Sequence, residues 1–283
     1  MKQITVISGK GGTGKTVITG SLAALAQNKV MADCDVDAAD LHLLLHPEIK
    51  ERHEFRSGRT AVIDQDVCIK CGKCADACRF GAIDRDFAVD PISCEGCAFC
   101  SRICPVNAIR MEENVAGEWF ISGTKYGPFI HAKLGIAEEN SGKLVAMVRQ
   151  ASRELAKKEG LEYVIIDGPP GIGCPVIASL TGVDLALVVT EPTLSGLHDA
   201  KRVIEVAKHF NVPAKLVVNK FDLNPEMAGR IERFCSDNGI PVIGRIPFDK
   251  TIVESMVMGR TIPEYKEGKA RTEIMKIWEA LKK

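Results

Sequence analysis

Eight of the eleven cysteines in this 283-residue chain form two runs with the same internal spacing. The runs are Cys68, Cys71, Cys74 and Cys78, followed by Cys94, Cys97, Cys100 and Cys104. Each cysteine of the first run recurs 26 positions later, as 68 does at 94, and Ala82-Ile83 recurs as Ala108-Ile109 at the same offset. Because cysteine thiolates bind zinc and iron–sulfur clusters, this internal repeat predicts a pair of metal centres.

The spacing within each run, C-x₂-C-x₂-C-x₃-C, resembles that of bacterial ferredoxins with two 4Fe-4S clusters, in which the fourth cysteine of each run binds the other cluster. The resemblance implies one cluster on Cys68, Cys71, Cys74 and Cys104, and a second on Cys94, Cys97, Cys100 and Cys78. Pro105 follows the second run as in ferredoxins, whereas Arg79 replaces the proline after the first. Zinc is the alternative, but structural zinc sites usually pair two C-x₂-C units across a longer gap.

The segment Gly9–Thr16 has the phosphate-binding pattern G-x-x-x-x-G-K-[ST], between a predicted strand and a predicted helix. In that setting, backbone N–H groups bind phosphates, Lys15 neutralises the β and γ oxygens, and Thr16 ligates Mg²⁺. The predicted nucleotide contacts are Gly11, Gly12, Thr13, Gly14, Lys15 and Thr16. A glycine-rich turn without a ligand is the alternative, and both flanking elements favour the nucleotide site.

Lys10 extends this pattern to K-G-G-x-G-K-[ST], which resembles the deviant Walker A motif of the MinD, ParA and nitrogenase iron protein superfamily. In that family, the first lysine reaches across a nucleotide-sandwich dimer to the ATP of the partner. The resemblance implies that the active unit is a homodimer and that Lys10 acts in catalysis. The alternative is a solvated loop lysine.

Two aspartate motifs extend the resemblance along the chain. Asp33-Cys34-Asp35 is similar to the first switch of the family, in which the aspartate matching Asp35 positions or activates the attacking water. The segment Asp167–Gly173 is similar to the second switch, which implies that Asp167 holds the Mg²⁺ shell. Phosphoryl transfer needs mainly positioning and charge neutralisation, for which these residues and Lys15 suffice. Asp37 and Asp40 are alternatives for the first switch, or acids at a helix N-terminus.

The sequence Asn219-Lys-Phe-Asp222 has the N-K-x-D form that reads guanine in GTPases. In the MinD superfamily, the same asparagine commonly contacts adenine. We expect ATP rather than GTP, with Asn219 at the base, because the Lys10 signature is the more specific motif.

Short apolar strands alternate with helical patterns along most of the chain, which predicts an α/β fold. We expect a doubly wound, mostly parallel sheet interrupted by a small α+β ferredoxin-like insert. The expected domains are 1–56 and 117–283 for the ATPase and 57–116 for the insert. Residues 119–139 are expected to form strands that close the insert, with turns at Gly123, Gly127 and Pro128. Predicted strands are 3–7, 30–32, 163–167, 185–190, 214–218 and 242–246; predicted helices follow Lys15 and cover 41–45, 141–158, 195–210, 225–238 and 270–281.

Several remaining residues have simpler interpretations. Cys235 is expected to be a buried helical residue, and the i, i+4 pair His42 and His46 is expected to lie on a helix surface. Cys34 and Cys174 adjoin the switches, where a shared cluster or thiol chemistry at a dimer interface is conceivable. The final helix is expected to pack on the sheet rather than bind a membrane.

Composition restricts the function further. There are 37 basic and 37 acidic residues and only 5% aromatic residues, which argues against a general nucleic-acid binder. No apolar run approaches the roughly 18 residues of a membrane helix, and no signal-peptide pattern precedes Gly9. We therefore expect a cytoplasmic protein with no membrane partner, in which disulfides are disfavoured.

Together these motifs predict an ATPase with bound ATP, Mg²⁺ and two 4Fe-4S clusters. Because the insert lies between the two switches, ATP turnover is expected to gate electron transfer to a protein redox partner. One alternative is an Mrp-type protein that assembles iron–sulfur clusters and delivers them to an acceptor. A partition or positioning ATPase with clusters as sensors is a third possibility, and the composition does not suggest the DNA or surface partner that it needs.

Overall fold

The computed structural model describes residues 1–135 and 141–283, which divide into two compact units. The first unit contains Met1–His53, Trp119–Lys133 and Ser141–Lys283. The second contains Glu54–Glu118 together with Leu134 and Gly135. The insert expected at 57–116 falls inside the second unit.

Within the described residues, a nine-stranded sheet has the order β3-β4-β5-β2-β6-β1-β7-β8-β9. Its strands are β1 (Lys2–Ser8), β2 (Lys29–Asp33), β3 (Glu48–Ile63), β4 (Ile109–Thr124), β5 (Gly127–Leu134), β6 (Tyr163–Pro170), β7 (Leu185–Thr190), β8 (Ala214–Asn219) and β9 (Val242–Ile246). The strands from β5 to β9 in this order pair in parallel. The predicted α/β class with a mostly parallel sheet is confirmed.

Among its described residues, the first unit also contains helices, some between its strands and three after β9. They are α1 (Lys15–Leu25), α2 (His42–Leu45), α5 (Ser141–Glu159), α6 (Cys174–Leu180), α7 (Leu194–His209), α8 (Pro225–Asp237), α9 (Lys250–Val257), α10 (Ile262–Tyr265) and α11 (Lys269–Lys282). The second unit has two short helices, α3 (Lys73–Ala77) and α4 (Phe99–Ile103). No helix in 1–135 or 141–283 is long and apolar enough to span a bilayer.

The core of the first unit explains why its strands are nearly continuous apolar runs. Strands β2 and β7 are buried at every residue, as expected for parallel strands covered on both faces. The final helix, α11, buries Ile274, Ile277, Trp278 and Leu281 in the same core cluster as β1 and β7. Its predicted packing on the sheet is confirmed.

Strands β4 and β5 cover most of residues 119–134, as predicted, but the prediction that this segment closes the insert was wrong. Residues 119–133 belong to the first unit, where Phe129 and Ile130 of β5 pair in parallel with β2. Gly123 lies within β4 and Pro128 within β5, whereas Gly127 begins β5 with a left-handed φ of 114°. Complete burial of Phe129 and Ile130 favours this pairing, and a local pattern cannot reveal such a distant partner. Residues 136–139 of the predicted segment lie outside the described residues.

Candidate functional site

The phosphate loop lies between the end of β1 at Ser8 and the start of α1 at Lys15. Gly12 and Gly14 have left-handed φ angles of 76° and 93°, which glycine adopts without steric cost. A Cβ atom on Gly14 would lie 2.4 Å from Nδ2 of Asn219. That amide donates a hydrogen bond of 2.8 Å to the carbonyl oxygen of Thr13. Glycine at position 14 therefore leaves room for the hydrogen bond between Asn219 at the end of β8 and the phosphate loop.

Two features of the loop fit a bound nucleotide with Mg²⁺. Oγ1 of Thr13 is buried, and no group in the described part of the chain hydrogen-bonds to it. Oγ1 of Thr19 donates a 2.8 Å hydrogen bond to Asp167. The Thr16 side chain hydrogen-bonds the same carboxylate. The two predicted Mg²⁺ contacts, Thr16 and Asp167, are therefore neighbours. Hydroxyl and carboxylate oxygens are the ligands that Mg²⁺ prefers.

Asp35 lies next to the buried Lys15, with 3.9 Å between its Oδ2 and the lysine Nζ. Burial raises the pKa of Asp35 to about 6, although Lys15 acts in the opposite direction and Asp167 adds to the rise. Burial also raises the pKa of Asp167. Closely spaced, desolvated carboxylates of this kind are stabilised by a cation.

Asp33 has a positioning role that the sequence analysis did not assign. Its two carboxylate oxygens accept hydrogen bonds from the backbone N–H groups of Asp35 at 3.1 Å and Leu41 at 3.2 Å. Both bonds lie within the loop that follows β2. Asp33 thus fixes the backbone that carries Asp35. A run of aspartates at the end of a buried strand is the signal, because short acidic side chains often bond nearby backbone.

Lys10 contacts residues of its own chain. Its Nζ lies 3.7 Å from Oε2 of Glu191 and 3.3 Å from the Ser195 hydroxyl, and a third of its side chain is exposed. Glu191 also forms a 2.6 Å ion pair with Lys220. The sequence analysis missed Glu191 and Ser195. Glu191 directly follows β7, and the carboxyl ends of parallel strands are where functional residues collect.

The asparagine and the aspartate of the N-K-x-D sequence both hydrogen-bond backbone groups of the chain. Asn219 bonds the phosphate loop as described above, and Oδ1 of Asp222 accepts a 2.6 Å hydrogen bond from the backbone N–H of Phe248. Asp222 therefore holds the loop after β9.

The eight repeated cysteines line two separate cavities of the second unit. Cys68, Cys71, Cys74 and Cys104 line one cavity, which we call the first cysteine set. Cys78, Cys94, Cys97 and Cys100 line the other, the second cysteine set. In both sets the fourth cysteine comes from the other run. Apolar side chains including Ile63, Ile83, Phe87 and Ile109 form the core around the sulfurs.

Backbone conformation repeats with the cysteines. Left-handed residues recur at the 26-residue offset and pair as Lys70 with Gly96, Gly72 with Ala98, and Gly81 with Asn107. Such turns direct backbone N–H groups into concave loops that bind anions. Backbone N–H groups donate to Cys68 Sγ and Cys104 Sγ at 3.4 and 3.3 Å. The loops and donors fit cages for thiolate-ligated clusters.

Single-ion binding has less support. Among the residues that the structure describes, no group of three or more His, Cys, Asp or Glu is arranged to hold one metal ion. Four sulfurs around zinc, at Zn–S distances of about 2.3 Å, would have to converge far more closely than sulfurs around a four-iron cluster.

The remaining candidate residues mostly follow the simpler interpretations. Cys235 is completely buried, as predicted, and burial raises its pKa to about 11. Cys34 is also completely buried, and burial raises its pKa strongly, so this thiol is suited to packing rather than chemistry. Cys174 is exposed at the start of α6. His42 and His46 are exposed, as predicted, and His46 hydrogen-bonds the Gly259 carbonyl at 2.7 Å.

Comparison with known proteins identifies relatives over most of the chain. A family model described as the CobQ/CobB/MinD/ParA nucleotide binding domain matches residues 4–262. An uncharacterized protein of Methanocaldococcus jannaschii is 40% identical over 228 residues, covering 78% of this chain and 79% of that protein. An iron-sulfur cluster carrier protein of Pyrococcus horikoshii is 23% identical over 297 residues, covering 99% and 85%.

Among solved structures, the fold is similar to the septum site-determining protein MinD complexed with Mg-ADP from Pyrococcus horikoshii. The TM-score is 0.61 at 20% identity, covering 100% of this chain and 96% of that one.

Proposed function

Because the chain belongs to the CobQ/CobB/MinD/ParA family of P-loop ATPases, we propose that it couples ATP hydrolysis to electron transfer through two 4Fe-4S clusters. The observation that carries the proposal is the sorting of eight cysteines into two cavities in a chain that also carries a complete P-loop. The clusters would exchange single electrons with a partner protein.

We assign ATP binding and hydrolysis to the phosphate loop and the neighbouring switch residues of the first unit. Lys15 neutralises phosphate charge, Thr16 and Asp167 hold Mg²⁺, and Asp35 orients the attacking water. The buried hydroxyl of Thr13 is a free donor for a phosphate oxygen. Loss of any of these contacts is expected to reduce hydrolysis, because phosphoryl transfer depends on positioning and charge.

Adenine is the favoured base. In GTPases, the N-K-x-D aspartate must be free to bind guanine, whereas Asp222 already accepts a 2.6 Å hydrogen bond from Phe248. Asp222 thus already has a structural role in holding the loop after β9. Asn219 lies beside the phosphate loop, where its carbonyl oxygen accepts from the Lys220 backbone at 3.0 Å.

The active form is proposed to be an ATP-sandwich homodimer in which Lys10 reaches the partner's nucleotide. In the single chain, Lys10 contacts Glu191 and Ser195. These contacts are long and partly exposed, so they cost little to break. Dimer formation would exchange them for contacts to phosphate.

Strand continuity supports coupling between nucleotide and cysteines. Strand β2 ends at Asp33, which positions Asp35, and pairs with β5 through Met31 and Phe129. Beyond β5 in the sheet order, β4 and β3 are single strands that each run from the first unit into the second. β4 begins at Ile109, which packs among the cysteines. A shift of the first switch would therefore have a route to the cysteine unit along β4, whose residues belong to both units.

Cluster delivery to an acceptor is the alternative, favoured by the relative named an iron-sulfur cluster carrier protein. Two complete sets of four cysteines with apolar surroundings fit retained clusters better than transferable ones. A positioning ATPase has less support, because that function gives the two cysteine sets no direct role.

The discriminating experiment incubates the anaerobically reconstituted protein with Mg-ATP and an apo-ferredoxin acceptor. We expect ATP hydrolysis with the iron and sulfide remaining on the protein, and loss of hydrolysis in Lys15→Ala with unchanged iron content. Quantitative transfer to the acceptor would refute electron transfer in favour of delivery. Wild-type protein that binds no cluster would refute both.

A further inference from the structure

The two cysteine sets have the same spacing, but the sulfurs of the first set receive more hydrogen bonds. Lys70 donates its backbone N–H to Cys68 Sγ at 3.4 Å, and Ala108 donates to Cys104 Sγ at 3.3 Å. The backbone of Ala75 also hydrogen-bonds Cys74. Three of the four sulfurs in the first set therefore accept a backbone hydrogen bond.

The second set lacks the equivalent of two of these contacts. The residues 26 positions from Lys70 and Cys68 are Gly96 and Cys94, and no hydrogen bond joins them in the described residues. Cys78 likewise receives no backbone hydrogen bond of the kind found at Cys104. The contact that remains is that of Ser101 with Cys100.

Charge differs in the same direction. The loop of the first set, 68–74, contains Lys70 and Lys73, both exposed, and no acid. The corresponding loop of the second set, 94–100, contains Glu95 and no basic residue. Asp66, two positions before Cys68, offsets one of these lysines, and Arg79 beside Cys78 offsets Glu95. Asp76 and Arg102 each lie two positions from cysteines of both sets, so they do not distinguish the sets. The first set therefore keeps one more positive charge close to its cysteines than the second.

Added electrons make a cluster more negative, so hydrogen bonds to its sulfurs and nearby positive charges favour reduction. One effect opposes this. Cys74 is 7% exposed and more buried than Cys100, and burial disfavours added charge. That difference affects one sulfur, whereas the two additional hydrogen bonds reach two other sulfurs of the first set and the added positive charge acts in the same direction.

We propose that Cys68, Cys71, Cys74 and Cys104 form the higher-potential site, so that the first electron entering the protein resides there. The proposal rests on the proposed function, because it requires clusters in both sets. One electron from an external reductant converts the first site to its singly reduced form, and a second electron then reduces the second site. Within the protein, a single electron therefore moves from the second site to the first.

The test is a redox titration of the reconstituted protein followed by electron paramagnetic resonance. We expect two one-electron waves. At the potential where the second site is half reduced, the reduced form of the first site should exceed its oxidised form at least tenfold. This ratio corresponds to midpoint potentials that differ by at least about 59 mV. Coincident waves would overturn the proposal, while measured iron and sulfide contents for two clusters would leave the proposed function standing.

Variants that change one charge show which titration wave belongs to which cysteine set. Lys73→Glu should lower the higher wave and leave the lower one in place, because Lys73 lies in the loop of the first set. Glu95→Gln is the matched control, since it changes one exposed charge in the other loop, and it should raise the lower wave alone. If Lys73→Glu fails to bind clusters, Lys70→Gln replaces it with the same expected direction. A shift of the lower wave in either lysine variant would refute the assignment.

Discussion

Replacing Asp35 by asparagine should stabilise the nucleotide-free protein while it removes the group that orients the attacking water. Asp35 is 8% exposed, and burial raises its pKa from 3.8 to about 6. Its ionised form is therefore destabilising in the folded state. A rise of about two pKa units corresponds to about 3 kcal/mol at neutral pH.

The sign of this effect determines its pH dependence. Between pH 3.8 and 6, the folded protein holds a proton on Asp35 that the unfolded chain has lost, so stability falls as pH rises through this window. The Asp35→Asn variant does not lose this stability, because asparagine does not ionise. Its advantage over wild type should grow from about 1.5 kcal/mol at pH 5 to about 3 kcal/mol at pH 7.5.

Denaturant unfolding of anaerobic, nucleotide-free protein measures this difference. Trp119 and Trp278, the two tryptophans of the chain, belong to the first unit, so their fluorescence reports its unfolding. Asp37→Asn is the matched control, because it removes an exposed carboxylate from the same loop and should change stability by less than about 0.5 kcal/mol. An advantage of Asp35→Asn that is equal at pH 5 and pH 7.5, or a loss of stability, would refute the reasoning.

Three further predictions concern the phosphate loop, the dimer and the cysteine sets. Gly14→Ala should weaken ATP binding at least tenfold by calorimetry, since its φ is 93° and the new Cβ would clash with the side-chain amide of Asn219 in β8. The control Gly229→Ala in α8 meets no close atom and should bind ATP normally, so equal binding by the two variants would contradict this reasoning. Glu191→Gln should strengthen the ATP-dependent dimer several-fold in sedimentation, because it weakens the hold on Lys10 within the chain; an unchanged or weaker dimer would count against that role. Cys104→Ser should remove the cluster of the first set and about half of the iron; full iron content with two unaltered resonance signals would exclude this ligand.

Local motifs made much of the first unit predictable. The strands Leu185–Thr190 and Val242–Ile246 have their predicted bounds, because each is a short apolar run ended by turn residues. The family resemblance inferred from Lys10 and Lys15 is confirmed by the match over residues 4–262. Motifs of this kind are readable because their chemistry depends on spacing along the chain.

Features that depend on distant neighbours were not predictable in the same way. Strand β3 is rich in exposed charged residues, so it has no apolar periodicity to reveal it. Glu191 gains its role only when folding brings it beside Lys10 and Lys220. Asp222 similarly meets Phe248 through the pairing of β8 with β9. The grouping of the cysteines was expected only from resemblance to ferredoxins, since spacing alone does not pair Cys104 with the first run.

The central claim, that nucleotide controls electron transfer, is tested most directly by measuring cluster midpoint potentials with and without Mg-ATP. Wild-type protein should show at least one midpoint shifted by Mg-ATP, because movement of the Asp33–Asp35 loop is connected through β5 and β4 to the cysteine unit. Lys15→Ala, which lacks the phosphate contact, should show no shift. Identical potentials with and without Mg-ATP in wild-type protein that hydrolyses ATP and keeps both clusters would contradict the account.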